Sequence, residues 1–312
     1  MPKNRQILHK LVKLDSRDPG LNLAVEELML EAVEPDSVTL LVYVNAPVVV
    51  MGKNQNPWRE CSAEVIAARA APLFRRVSGG GTVYHDEGNL NFSFLMDRRL
   101  YDKAANLDLV RRALARLGVE LERNDRGDLY LAGKKVSGNA MCYRKDAVLH
   151  HGTLLISADL DKLAEAIAAS SLDIETHAVA SVRAKVCNIS DLHPEVDIDG
   201  VSAALAAELE ESYEGRSATS AERLPAVDGR RLAELQERNT SWEWIFGRTP
   251  SFEAAFPVFS ASGTGTVRIR VQKGTVRGIQ TSDHALEAKL WDAFNAERFD
   301  PEAIRAFLDR KE

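Results

Sequence analysis

The chemistry-bearing residues of this chain gather first in RRVSGGGTVYHDEGNLNFSF, residues 75–94. Gly79, Gly80 and Gly81 have no Cβ, so the backbone there can take positive φ and approach a ligand closely. Successive N–H groups in such a loop can form an anion-binding nest. Arg75 and Arg76 precede the glycines, and a guanidinium matches the geometry of a phosphate or a carboxylate. Ser78 adds a hydroxyl, and His85 and Asp86 follow. The competing account is a mobile turn flanked by solvated arginines, and the segment alone does not choose between the two.

A second candidate is GKKVSGNA, residues 133–140. In a strand, Lys135 and Ser137 share one face and Lys134 takes the other. One lysine can then line a pocket while its neighbour stays in water. A lysine beside a bound carboxylate and an α-phosphate would stabilise the charge that builds up during adenylation. Without a pocket, the same residues make an ordinary exposed hairpin. In LHHGTLLIS, residues 149–157, adjacent histidines suggest a metal. Strand geometry sends His150 and His151 to opposite faces, so they do not share one ion.

Asn54, Gln55 and Asn56 form a polar loop after a strand, suited to a ligand's polar edge or to capping a turn. Asn124 and Asp125 in RNDRGD offer a Mg²⁺ contact or a turn. Cys142 follows the lysine segment, and a cysteine nucleophile there would mean acyl transfer through a thioester. Only Arg144 and Lys145 stand near it in sequence to lower its pKa, so a passive packed thiol is the expectation.

These segments need elements to position them. Residues 21–32 have helical apolar spacing, with Asp18 and Pro19 as a start signal. Residues 39–52 are β-branched and apolar and are broken at 45–47, which predicts two buried strands around a turn. A short helix is expected over 64–71, and a half-buried strand over 90–96, where apolar and polar residues alternate. Residues 107–117 form an amphipathic helix. Residues 128–138 predict a hairpin turning at Ala132–Gly133, and 148–156 a further strand. Helices follow at 159–169 and 201–213, then a turn-rich linker at 215–229 and a helix over 230–238. Residues 266–280 alternate strictly around Lys273–Gly274, as a hairpin does, and helices are expected at 284–294 and 301–308.

The spacing divides the chain at 245/246, into a large domain (1–245) and a small α+β domain (246–312). Strands and helices do not alternate as in a doubly wound sheet. Both common nucleotide fingerprints, GxGxxG and GxxxxGK[ST], are absent, so any ATP site must be built another way.

The chain is 312 residues long and 45% hydrophobic, enough for a sizeable core, with a net charge of −6 that argues against general nucleic-acid binding. No apolar run reaches membrane-spanning length, and the basic start lacks a signal-peptide core, so the expected location is the cytoplasm. The cysteines Cys61, Cys142 and Cys187 make neither a zinc pattern nor a disulfide framework.

Taken together and in this order, the blocks resemble the lipoate–protein ligase A family. DPGLNLAVEELML (18–30) resembles its N-terminal helix. VVMGKNQNPWREC (49–61) resembles its G-[RK]-N-Q-N-P-W-x-E-C loop. Residues 75–94 follow its R-R-x-S-G-G-G-[AT]-V-[YF]-H-D-x-G-N block. RND (123–125), GKKVSGNA and LHHGTLLIS match later blocks. SVRAKVCNISDL (181–192) resembles the segment closing the large domain, and WEWIFGRTPSF (242–252) the entry to the accessory domain. One block would be a weak hit, whereas several in the correct order are specific.

The resemblance implies an α+β fold: a biotin/lipoate ligase-like catalytic domain with mixed sheets, similar to class II synthetase cores, plus a small accessory domain. It implies ATP, Mg²⁺ and lipoate, with octanoate as a possible substitute. The acid would become lipoyl-AMP and pass to a lysine of an acceptor. Candidate acceptors are the lipoyl domains of 2-oxo acid dehydrogenases, the glycine-cleavage H protein or a specialised lipoyl carrier.

The resemblance also assigns residues. Lys135 would contact the carboxylate and phosphate, with Lys134 as a less critical neighbour. Arg76, Ser78, Gly79, Gly80, Gly81, His85, Ser137, Gly138, Ala140, His151 and Thr153 would shape the lipoate and lipoyl-AMP site. Val83, Tyr84, Asn89, Asn124 and Asp125 would belong to the nucleotide region, with Asp125 as the metal contact. Two alternatives compete. One is an ATP-independent octanoyl or lipoyl transferase of the same superfamily using Cys142. The other is a non-catalytic lipoyl-binding protein.

Overall fold

A computed structural model describes residues 7–67, 71–168, 170–213, 228–260 and 263–310. The expected linker at 215–229 lies almost wholly outside these residues, as do the first six residues of the basic start.

The chain begins with β1 (Leu8–Lys13) and α1 (Pro19–Glu31). Asp18 caps α1 by accepting from the Gly20 and Leu21 amides, with Pro19 in the first turn. Next come β2 (Ser37–Val44) and β3 (Val48–Met51), and the short α2 (Pro57–Glu60) and α3 (Ala63–Ile66). Then follow β4 (Leu73–Arg75), β5 (Val83–His85), β6 (Asn89–Asp97) and α4 (Lys103–Ala115). The lysine-bearing region is β7 (Glu122–Arg123), β8 (Leu129–Leu131), β9 (Lys134–Ser137), β10 (Asn139–Tyr143) and β11 (Ala147–Leu155). After it lie α5 (Leu160–Ala166), β12 (Asp173–Thr176), α6 (Ile198–Ser212), α7 (Gly229–Thr240) and α8 (Trp242–Ile245). The chain ends with β13 (Phe252–Ser260), β14 (Gly263–Gln272), β15 (Thr275–Gln280), α9 (His284–Phe294) and α10 (Pro301–Leu308).

The fold is mixed α+β. The main sheet has the order β1-β2-β6-β11-β10, parallel only between β1 and β2. On one face, Leu90, Phe92, Phe94 and Met96 pack with Leu109 and Val110 of α4 and Leu205 of α6. On the other, Leu41, Tyr43 and Leu95 pack with Val25 and Met29 of α1. The two strands around residues 45–47 form as expected but enter different sheets, β3 joining β4 and β5. The hairpin of β8 and β9 turns at Ala132 and Gly133, with φ of 48° and 74°. That pair of left-handed residues matches the strand twist.

β6 departs from the expected half-buried strand, since all of its residues are buried. Its polar face meets α1 and a polar cavity instead of water, and alternation alone cannot distinguish these.

The fourth sheet, β12-β13-β14-β15, shares an aromatic core with α9 and α10. β12 and Trp58 both come from before residue 246. The Trp58 ring lies 5.2–5.3 Å from Phe246, Phe252 and Phe299. α7 packs along α1, where the Arg238 and Arg231 guanidiniums pair with Glu27 and Glu31. No helix among the described residues is long and apolar enough to cross a membrane.

Candidate active site

The glycine loop is built on a buried guanidinium. Arg76 Nε donates to Ser78 Oγ at 2.9 Å, and Nη1 to the Val50 carbonyl at 3.0 Å. Nη2 donates to the carbonyls of Gly79 and Gly81 at 2.6 and 2.7 Å. Burial pushes this guanidinium down to about 10, against the pull of Glu26 and Tyr43. Gly80 has φ of 83°. Gly52 is required by close approach, since a Cβ there would sit 2.2 Å from the Gly80 carbonyl oxygen. Arg75 grips the carbonyls of Gly52, Lys53 and Gln55 on one side and those of Trp244 and Ile245 on the other. Neither arginine is solvated; both are committed to backbone carbonyls.

Ser78 continues into a chain of buried polar groups. Its Oγ lies 2.7 Å from His151 Nε2, and His151 Nδ1 lies 2.9 Å from Glu26 Oε1. Ser93 Oγ and Tyr43 OH donate to the same carboxylate. Burial works to raise the Glu26 pKa, but His151 and the hydroxyl donors outweigh it and hold the carboxyl below its ordinary range. With Glu26 ionised, His151 carries its proton on Nδ1, and in the neutral ring the Ser78 hydroxyl donates to Nε2. The order carboxylate–imidazole–hydroxyl resembles a hydrolase triad. Here, however, Ser78 is 1% exposed and also accepts from Arg76, so the chain locks the loop.

His85 is held separately. Asn22 Nδ2 donates to Asn45 Oδ1, and Asn45 Nδ2 donates to His85 Nδ1. Burial, with Arg76 and His151 nearby, lowers His85 to about 3, so its ring is neutral. His150 faces away as expected, between Asn106 and Asn139, and burial lowers it also to about 3.

Two cavities, of about 330 and 560 Å³, meet at this site. Thr82, Val83, Lys135, Gly138, Thr153, Ser181 and Val182 line both, so they mark the junction. The smaller cavity runs from there past Arg76, Gly80, Gly81 and Ala140 to Leu23, Tyr43, His85 and His151. The larger is lined by Tyr84, Lys134, Ser137, Arg183 and Lys185 among others. At the junction, Lys135 Nζ pairs with Asp128 Oδ1 at 2.9 Å. The strap carrying Ser181 is held to β9, with Lys135 N donating to the Lys185 carbonyl and Cys187 N to that of Lys135.

Several expected residues line neither cavity. Ser78 and Gly79 shape the loop from behind, and Asn89 is buried beside Asn91. Asn124 organises the turn before β8 by accepting from the Asp128 amide, and Asp125 sits exposed in that turn. Cys142 lines neither cavity; it packs with Val77 and Leu149, and burial raises its thiol pKa.

Sequence reasoning missed Glu26, Asp128 and Ser181. Glu26 carried a faint signal, being an acid on the buried face of an apolar helix. Asp128 stood on the same predicted hairpin as Lys135 and was passed over, whereas Ser181 carried no signal, since only chain packing brings it to Lys135.

The chain matches the family model described as the lipoyl protein ligase A/B catalytic domain over residues 18–210. It is 31% identical over 310 residues to the lipoate-protein ligase A of Psychrobacter cryohalolentis, covering 96% of this chain and 91% of that one. The chain belongs to the lipoate–protein ligase family. It is therefore an enzyme, a ligase. Among solved lipoate–protein ligases, one bound with ATP superposes with a TM-score of 0.62 at 25% identity, over 77% of this chain and 98% of the other. Plasmodium falciparum LipL1 in complex with lipoate superposes with a TM-score of 0.62 at 22% identity, over 98% of this chain and 94% of that one. The latter shows a shared fold that extends past the catalytic region of the family.

Proposed function

We propose that this ligase activates lipoate with ATP at the junction of its two cavities and then transfers the lipoyl group to a lysine of an acceptor protein. The observation that carries this reading is the position of Lys135, which lines both cavities at once. The smaller cavity takes the acyl chain and the larger, with its basic mouth, the nucleotide. The relative solved with lipoate and the one solved with ATP support the choice of the two substrates.

The acid's carboxylate oxygen attacks the α-phosphorus. An O–P bond forms, the bond to the bridging oxygen breaks, and pyrophosphate leaves with the electron pair. Lys135 stabilises the charge on both partners and is not itself acylated. The acceptor's neutral ε-amine then attacks the acyl carbon, a C–N bond forms, the acyl C–O bond to the phosphate breaks, AMP leaves with the electron pair, and the amine's surplus proton passes to water. Magnesium would neutralise the ATP phosphates. Among the described residues no group of three or more His, Cys, Asp or Glu side chains could hold a metal. Magnesium takes one or two carboxylates plus phosphate oxygens. Asp125, the expected contact, lines neither cavity, so Asp128, in the smaller cavity beside Lys135, is the carboxylate that would hold the ion.

Residues 246–312, joined by β12 and Trp58, form the accessory unit in this reading. Lipoyl domains are the proposed acceptors, and octanoate fits the same cavity chemistry as lipoate. ATP–pyrophosphate exchange tests the proposal. Exchange that depends on lipoate is the expected result; none, in folded protein supplied with Mg²⁺, contradicts it.

A further inference from the structure

Gln55 is fully buried, and its Oε1 accepts from the Gly52 amide at 2.8 Å and the Thr82 hydroxyl at 2.9 Å. The Gly52 amide can only donate, so it identifies the oxygen and the Gln55 amide cannot be flipped. Its Nε2 must then donate, and it does so to Ser181 Oγ at 2.9 Å. The Thr82 amide donates to the same Oγ, also at 2.9 Å. A hydroxyl oxygen has two lone pairs and one proton. Both lone pairs of Ser181 are engaged, and no acceptor for its proton lies among the described residues. Ser181 lines both cavities.

The backbone around Ser181 is held as firmly as its side chain. Its amide donates to Glu60 Oε2 at 3.0 Å, and Arg59 donates to the Ala178 carbonyl at 3.0 Å. The Val179 amide donates to the Asn54 carbonyl at 3.2 Å. Gly81 permits the approach, since a Cβ there would meet Ser181 Oγ at 3.1 Å. The loop at residues 52–60 therefore serves to aim one hydroxyl at the place where the two cavities join.

We propose that Ser181 is a further catalytic residue of the adenylation step, donating a hydrogen bond to the non-bridging α-phosphoryl oxygen as its charge grows, and that Gln55 is the positioning residue that leaves the hydroxyl no role but donor. The inference rests on the ligase reading above. Ser181 keeps its proton throughout, and the bonds made and broken are those already given.

The test is lipoate-dependent ATP–pyrophosphate exchange, with lipoate affinity measured separately by calorimetry. Ser181→Ala lowers the kcat of exchange on the order of 100-fold, by analogy with loss of one oxyanion donor, and leaves lipoate affinity within about 2-fold. Gln55→Glu keeps the shape but replaces the donor with an acceptor that captures the serine proton, and exchange falls by a comparable factor. Added to Ser181→Ala, Gln55→Glu costs little more, because the two act as one unit. The proposal is overturned if Ser181→Ala exchanges at the full rate, if the two effects multiply, or if lipoate affinity falls in step with the rate. A protein without substitutions that shows no lipoate-dependent exchange overturns the ligase reading itself, a result distinct from these.

Discussion

Lys135 lines both cavities, and in the proposed mechanism it is the residue most sensitive to substitution. Lys135→Ala is expected to lower lipoate-dependent exchange by at least about 1000-fold, because a preorganised charge acting only as the phosphoanhydride reacts is lost. The fold should survive, since the pair with Asp128 is part-exposed and such pairs contribute about 0–1 kcal/mol. Exchange and a thermal melt check both halves, and normal exchange in that variant removes Lys135 from the mechanism. Cys142→Ser is expected to keep most of the activity, because the packed thiol has a raised pKa and lines neither cavity. Complete loss of acyl transfer in a folded Cys142→Ser protein would restore the thioester route.

At the level of elements, the site is an arrangement of loops clamped by arginines. The strand-to-helix turn at residues 52–56 and the glycine loop touch at backbone level, with Gly52 against Gly80. Gly52→Ala therefore forces backbone apart, where no flexible side chain can yield. A loss of about 1–3 kcal/mol is expected, the range for overpacking. Because Arg76 and Ser78 belong to the same loop, lipoate affinity should fall together with stability. Urea unfolding and calorimetry on one preparation measure both, and wild-type values for each would contradict the close approach. By contrast, the Glu26–His151–Ser78 chain lies behind the loop and acts on its shape.

For the whole molecule, acid is the informative perturbation. His85 and His150 are neutral when folded, with pKa values lowered to about 3 from an ordinary 6.5. Below pH 6.5 the unfolded chain takes up protons that the folded chain refuses until about pH 3. Stability therefore falls as pH drops through that window. Glu26 adds in the same direction, because its lowered pKa makes the unfolded chain protonate first. The expected slope is on the order of 1 to 3 kcal/mol per pH unit. Urea midpoints between pH 7 and pH 4 read it, and His150→Gln should flatten the curve while leaving the site intact. A midpoint insensitive to pH would contradict neutral, buried rings.

Local patterns were legible because they obey local rules. The cap at Asp18, the hairpin turns at Ala132–Gly133 and Lys273–Gly274 and the opposed faces of His150 and His151 follow from backbone geometry over a few residues. The order of the sequence blocks carried the family. Three things were decided by the tertiary structure alone. The polar face of β6 turned inward because an alternating strand looks the same beside water and beside a polar cavity. Both arginines went to carbonyls because a glycine loop that is to hold one shape needs its buried oxygens satisfied. Glu26 and Ser181 reached the site from distant parts of the chain, and no spacing rule spans such separations; only packing brings them within hydrogen-bond range.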